Sequence, residues 1–180
     1  MERWIRTGRW SGVATLVAGC VTAVVMLAPS GSAAPGEPTA SRATPECTNA
    51  NLTARYRGGD AAMSHVYGRI VLRNTSDRAC WIRGYGGLSY VGGGNGTQVG
   101  AAADRTPSER PRVVLTPGDK VRSAVVETSY APYPRKKCRP TKVDGFRVYV
   151  PDETRSQYVP HRTTGCANPA VHLLAHKAYR

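Results

Sequence analysis

The chain has 180 residues, with 25 Lys and Arg against 12 Asp and Glu, for a formal net charge of +13. That length holds one domain of ordinary size, and charge of this sign draws a protein toward polyanions without determining its fold. No named nucleic-acid-binding motif accompanies the charge, so recognition of nucleic acid is not expected.

Residues 1–33 read as a secretory signal peptide. Arg3, Arg6 and Arg9 form a basic head, residues 12–28 are almost wholly apolar, and Gly31-Ser32-Ala33 supplies the small residues of a cleavage site. Two other readings stay open. Val17-Ala18-Gly19-Cys20 resembles a lipobox in which Cys20 is lipidated, although the stretch after it remains apolar, and an uncleaved anchor is the third reading. All three place the domain outside the cytoplasm, secreted or at the cell envelope. Cleavage after Ala33 removes three arginines and one glutamate, leaving 147 residues and a net charge of +11.

Residues 34–46, with three prolines among small polar residues, have the composition of a flexible tether. A single domain is expected over 47–180. It contains four cysteines, Cys47, Cys80, Cys138 and Cys166. An even number in an exported chain is the signature of disulfides. Three pairings are open to four cysteines; the sequential one, Cys47–Cys80 and Cys138–Cys166, is preferred because it closes two loops of moderate length.

From Cys47 the chain breaks into short apolar pieces. Across His65–Arg73, Val66, Gly68, Ile70 and Leu72 share one face and His65, Tyr67, Arg69 and Arg73 the other, the period of a half-buried strand. Next comes a turn-forming run at Asn74–Asp77, then Cys80-Trp81-Ile82. The mature chain holds one Trp, one Phe and one Met, so Trp81 is expected to pack over the neighbouring disulfide and supply bulk to a small core. Gly84, Gly86 and Gly87 are expected where the chain changes sheet, permitting a close backbone approach. Gly92–Gly96 reads as a hairpin loop after the strand at Leu88–Val91. Val113–Leu115 and Val121–Val126 are joined by the turn Pro117-Gly118-Asp119. Phe146, Val148 and Val150 alternate as a strand, and Asp152–Ser156 turns the chain before Gln157–Val159. No stretch sustains helical periodicity with credible caps. The expected fold class is an all-β, antiparallel sandwich stapled by two disulfides.

Several of these pieces together resemble one family: Cys47 opening the first strand, the block IVLRNTSDRACWIRGYGGLSYV, the LTPGDK turn and the late pair Cys138 and Cys166. The resemblance is to the exported actinobacterial family called domain of unknown function 4232, over roughly residues 47–176. The chain departs from the family's Gly-Tyr-Pro-Gly pattern at Gly84-Tyr85-Gly86-Gly87. The resemblance implies an immunoglobulin-like sandwich with no established activity and no catalytic residues to carry over.

Candidate chemistry is sparse. His172 and His176 are four residues apart but lack the glutamate of the zinc-protease motif, and are expected as surface residues on the last strand; no metal or cofactor is expected. Ser89 lacks the second glycine of a nucleophile elbow. The most suggestive polar feature is the basic segment Pro134–Lys142, where Arg135, Lys136, Lys137, Arg139 and Lys142 surround Cys138. Five cations there can engage phosphate or carboxylate, arginine in bidentate fashion. The expectation is a monomeric, non-catalytic binding or interaction module at the bacterial envelope or in the medium. The sequence does not identify its partner; an anionic cell-wall polymer and an envelope protein are the two candidates. The alternative is a hydrolase-like envelope enzyme whose site is assembled from residues far apart in sequence.

Overall fold

The computed structural model describes residues 43–180; the signal segment, Cys20 and most of the tether lie outside them. Twelve strands and one helical turn follow in order: β1 (Leu52–Arg57), β2 (Ala61–Ala62), β3 (His65–Asn74), β4 (Cys80–Ile82), β5 (Gly87–Gly92), β6 (Thr97–Ala102), β7 (Asp104–Arg105), β8 (Val113–Leu115), β9 (Lys120–Thr128), α1 (Arg135–Cys138), β10 (Pro140–Tyr149), β11 (Ser156–Cys166) and β12 (Leu174–His176). One sheet runs β1-β3-β9-β12-β7 with β2 beside β3, a second runs β11-β10-β5-β6, and β4 and β8 form a third, small pair. The fold is all-β, as expected. Among the named strands one pairing departs from the antiparallel rule, β7 with β12, and an isolated bridge of Glu46 to Trp81 is also parallel.

Alternation along each strand builds the core. Leu52 and Ala54 of β1, Ile70 and Leu72 of β3, and Val121 and Val125 of β9 point inward from the first sheet. Leu88 and Tyr90 of β5, Phe146 and Val148 of β10, and Val159 of β11 meet them from the second. Burial of such apolar side chains, about 1.5–3 kcal/mol each, is the main favourable contribution to the fold. Val66 has the same parity as Ile70 but is 38% exposed, because it sits beside the hairpin that joins β2 to β3.

Both disulfides take the sequential pairing, Cys47–Cys80 and Cys138–Cys166. Ordered pairing begins two residues before Cys47: the Trp81 amide donates to the Pro45 carbonyl, and the Cys47 amide donates to that of Trp81. Trp81 itself is not a core residue. Cys80 and Ile82 flank it and point inward, so alternation turns the indole outward, where the Arg112 guanidinium lies 4.6 Å from its ring. The expectation from scarcity of large side chains gives way to strand parity.

The glycines at 84–87 do what the sequence implied. Gly84 has φ of +93°, and a side chain at Gly86 would run into the Tyr149 carbonyl where the chain passes from β4 to β5. Gly93, Gly94 and Gly96 close the β5–β6 hairpin with positive φ. The turn at Pro117-Gly118-Asp119 is also present, but the strands it joins do not pair with one another: β8 pairs with β4 and β9 with β3. Between them Asn74, fully buried, uses its whole amide, donating to the Arg78 and Leu115 carbonyls and accepting from the Ser76 amide and hydroxyl.

Candidate functional site

The basic segment forms the single helical turn α1, an element absent from the sequence expectation, followed by the start of β10. Arg135, Lys136, Lys137, Arg139 and Lys142 are all exposed, while Cys138 is buried. The Cys138–Cys166 bridge and a bond from the Asn168 amide to the Lys137 carbonyl tie the turn to the end of β11. The cations of the turn, Arg135, Lys136, Lys137 and Arg139, line none of the cavities described below, and Lys142 on β10 lines a separate depression beside the β5–β6 hairpin.

A denser cationic surface lies elsewhere. On β1, β3 and β9 the residues of opposite parity to the core are Thr53, Arg55 and Arg57, then Arg69, Val71 and Arg73, then Lys120 and Arg122. Register sets them in rows across the sheet. Arg57 lies opposite Arg69; Arg55 and Arg122 flank Val71; Arg73 lies opposite Lys120. Each of the three rows therefore carries two cations, and rows are about 7 Å apart, two residues along a strand. Together they line a groove of about 540 Å³. Among the described residues no carboxylate side chain forms an ion pair with any of the six. Like charges placed directly opposite on a sheet repel, so the array lacks an anion.

The inner face of the same strand β9 carries the opposite charge. Glu127 continues the inward set after Val121, Ser123 and Val125 and is 6% exposed. An isolated carboxylate there is costly, and three strands supply donors. Tyr56 on β1 donates at 2.5 Å to one oxygen; Tyr90 on β5 and His161 on β11, at 2.7 and 2.8 Å, reach the other. Burial works to raise the Glu127 pKa, but the bonds from His161, Tyr56 and Tyr90 outweigh it and the net shift is downward, keeping the carboxylate ionised. Tyr56 and Tyr90 are held neutral, their pKa values pushed well up by burial and by the carboxylate beside them. The His161 ring stacks on Phe146 at 4.7 Å and 4°, which fixes its plane.

Glu127, Tyr90 and His161 form the floor of a cavity of about 460 Å³. Its walls carry Thr128 at the end of β9, Ser129 and Tyr130 just after it, and Thr163 and Thr164 of β11; the β2–β3 hairpin is its rim. The histidines named from sequence do not meet there. His172 is exposed and pairs with Asp104 at 2.9 Å. His176, expected on the surface, is 4% exposed, against the edge of Tyr85. Ser89 is buried. No group of three or more His, Cys, Asp or Glu able to hold a metal occurs among the described residues.

Sequence reasoning missed Glu127, His161, Tyr56 and Tyr90. One signal was available, an acid at the inward parity of a strand otherwise lined by Val and Ser.

Two stacked sheets, two disulfides and a polar cluster held between the sheets define a stapled all-β domain. Such crosslinks form and persist in oxidising compartments, and no helix of the described residues is long and apolar enough to cross a membrane. The chain belongs to the family described as Domain of unknown function (DUF4232), which matches residues 47–175. No curated protein and no solved structure matches it.

Proposed function

We propose that this is an exported, non-catalytic binding module that attaches to anionic polymers of the bacterial cell envelope through the outer face of β1, β3 and β9. The observation that carries this reading is the pair of cations in each of three successive rows with no carboxylate among them. A polymer bearing phosphate or carboxylate groups and lying along the strands meets two cations every 7 Å or so. Five of the six are arginines, which bind such groups bidentately. The loop cations Arg135, Lys136, Lys137, Arg139 and Lys142 lie beyond the C-terminal end of β9, whereas Lys120 and Arg122 lie at its start. The loop is thus a separate contact.

A hydrolase-like reading draws on one observation, the Glu127–His161 pair, since a carboxylate that orients an imidazole is half of a nucleophile-activating device. The other half is a hydroxyl or thiol bonded to the free ring nitrogen. His161 makes no such bond among the described residues. The binding reading is therefore preferred.

Co-sedimentation with purified cell walls tests it, comparing the parent chain with Arg55→Glu/Arg122→Glu and with Arg135→Glu/Lys136→Glu/Lys137→Glu/Arg139→Glu. The face variant is expected to stay in the supernatant at low salt, and raised salt should release the parent. Loss of binding in the loop variant alone would move the site to the loop. Undiminished binding by both variants would overturn the reading.

A further inference from the structure

We propose that the cavity above Glu127 is a receptor for a primary ammonium group carried on a small organic body. The cavity, about 460 Å³, is within the size range of small-molecule sites. Its charge is the reverse of the rest of the protein. Among the described residues no Lys or Arg lines it, and its floor carries a carboxylate. An anionic ligand would face Glu127 with only the imidazoles of His161 and His65, and no lysine or arginine among the described residues, to offset the repulsion, so the site disfavours the class that the outer sheet face attracts.

Counting acceptors narrows the ligand further. A carboxylate has about four lone-pair sites. Tyr56 occupies one on Oε1, and Tyr90 and His161 occupy two on Oε2, which leaves one on Oε1. Because Nε2 of His161 is committed to the carboxylate, the nitrogen left over is Nδ1, which has no hydrogen-bond partner among the described residues and is not sealed from solvent. The walls add the hydroxyls of Thr163, Thr164 and Ser129. Acceptors thus outnumber fixed donors. An ammonium brings three donors and no acceptor, and bonds to an ionised partner are about twice as strong as neutral ones.

The rim suits the rest of such a ligand. Met63 and Ser64 form the two-residue β2–β3 turn with φ of +49° and +64°, a left-handed conformation that non-glycine residues rarely adopt. That turn holds the Met63 side chain 94% exposed at the cavity mouth. A flexible thioether there adapts to the carbon body of a ligand, and the ring of Tyr130 forms a second apolar wall. Positive charge on the outer sheet face does not cancel the site, because exposed charges are largely screened beyond about 8 Å at physiological ionic strength.

Isothermal titration of the exported protein with glucosamine and ethanolamine, against glucose and ethylene glycol as uncharged counterparts, tests the assignment. The amines are expected to bind at least about tenfold more tightly than their counterparts, with glucosamine shifting the His161 ring resonances. Thr164→Lys places a cation at the wall without touching the core. It should abolish amine binding while leaving sedimentation with cell walls unchanged. Glu127→Gln, if it folds, should remove the preference for the amine. Equal affinity for glucosamine and glucose, absence of saturable binding by either amine, or an unaffected Thr164→Lys variant would each overturn the proposal.

Discussion

Gly68 and Tyr56 share one space: the Tyr56 ring lies across the position a side chain at Gly68 would take, with the hydroxyl end nearest. The missing side chain on β3 is what lets Tyr56 on β1 reach inward and donate to Glu127 at 2.5 Å. A strand glycine that looks like a weak point is therefore the clearance for a buried hydrogen bond.

Gly68→Ala should displace Tyr56 and destabilise the fold by about 1–3 kcal/mol, the range for overpacking. Tyr56→Phe, which keeps the ring and removes the donor, should cost a similar amount, about 1.5–3 kcal/mol, because the bond lost is to a charged acceptor. Urea unfolding of the two single variants and the double variant checks this. Both changes break the same bond, so the double variant should lose clearly less than the sum. Strict additivity would show that Gly68 acts elsewhere.

Acid should weaken the domain through His176. Burial, then the nearby Arg105 charge, lower its pKa from 6.5 to about 4 in the folded state. Between those values the unfolded chain takes up a proton that the folded chain refuses, so stability falls as pH drops from about 6.5 to about 4. At 1.36 kcal/mol per unit the loss reaches about 3 kcal/mol. Glu127 adds to the trend lower down: its folded pKa is depressed, so its contribution is present above the ordinary carboxylate range and is lost as pH falls through the folded value. Urea titrations from pH 7 to about 2 measure the combined slope. His176→Gln should flatten the fall between about pH 6.5 and 4 and leave the fall below it.

The two crosslinks should differ in what they hold. Their separations of 33 and 28 residues predict about 4 kcal/mol each on the chain-entropy account. Cys47→Ala/Cys80→Ala should free the start of the domain, where Pro45 and Cys47 bond to Trp81. Cys138→Ala/Cys166→Ala should instead loosen α1 and raise amide exchange at Lys137–Arg139. Exchange mapped by mass spectrometry distinguishes the two. Uniform acceleration in both variants would show that neither bridge acts locally.

Much of the scaffold was legible because it depends on neighbours in sequence. The alternations at Ile70 and Leu72 and at Phe146, Val148 and Val150 state which way each side chain points, and all five are buried. Trp81 was misjudged where rarity was weighed above the same alternation. The cationic rows were beyond reach for a different reason. Arg55, Arg57, Arg69, Arg73 and Arg122 each look like an ordinary solvent-facing residue. Only the pairing of β1 with β3 and β3 with β9 sets them side by side, and the partner and offset of a strand are not written in the strand itself. The same holds for the donors that converge on Glu127 from three strands.

The two faces of β9 have a further consequence. Were the strand to slide past β3 by one residue, Lys120 and Arg122 would enter the interior and Glu127 would leave its donors for water. A misaligned sheet would bury two unpaired cations at once, so the alternation of charge across this strand also proofreads its alignment during folding.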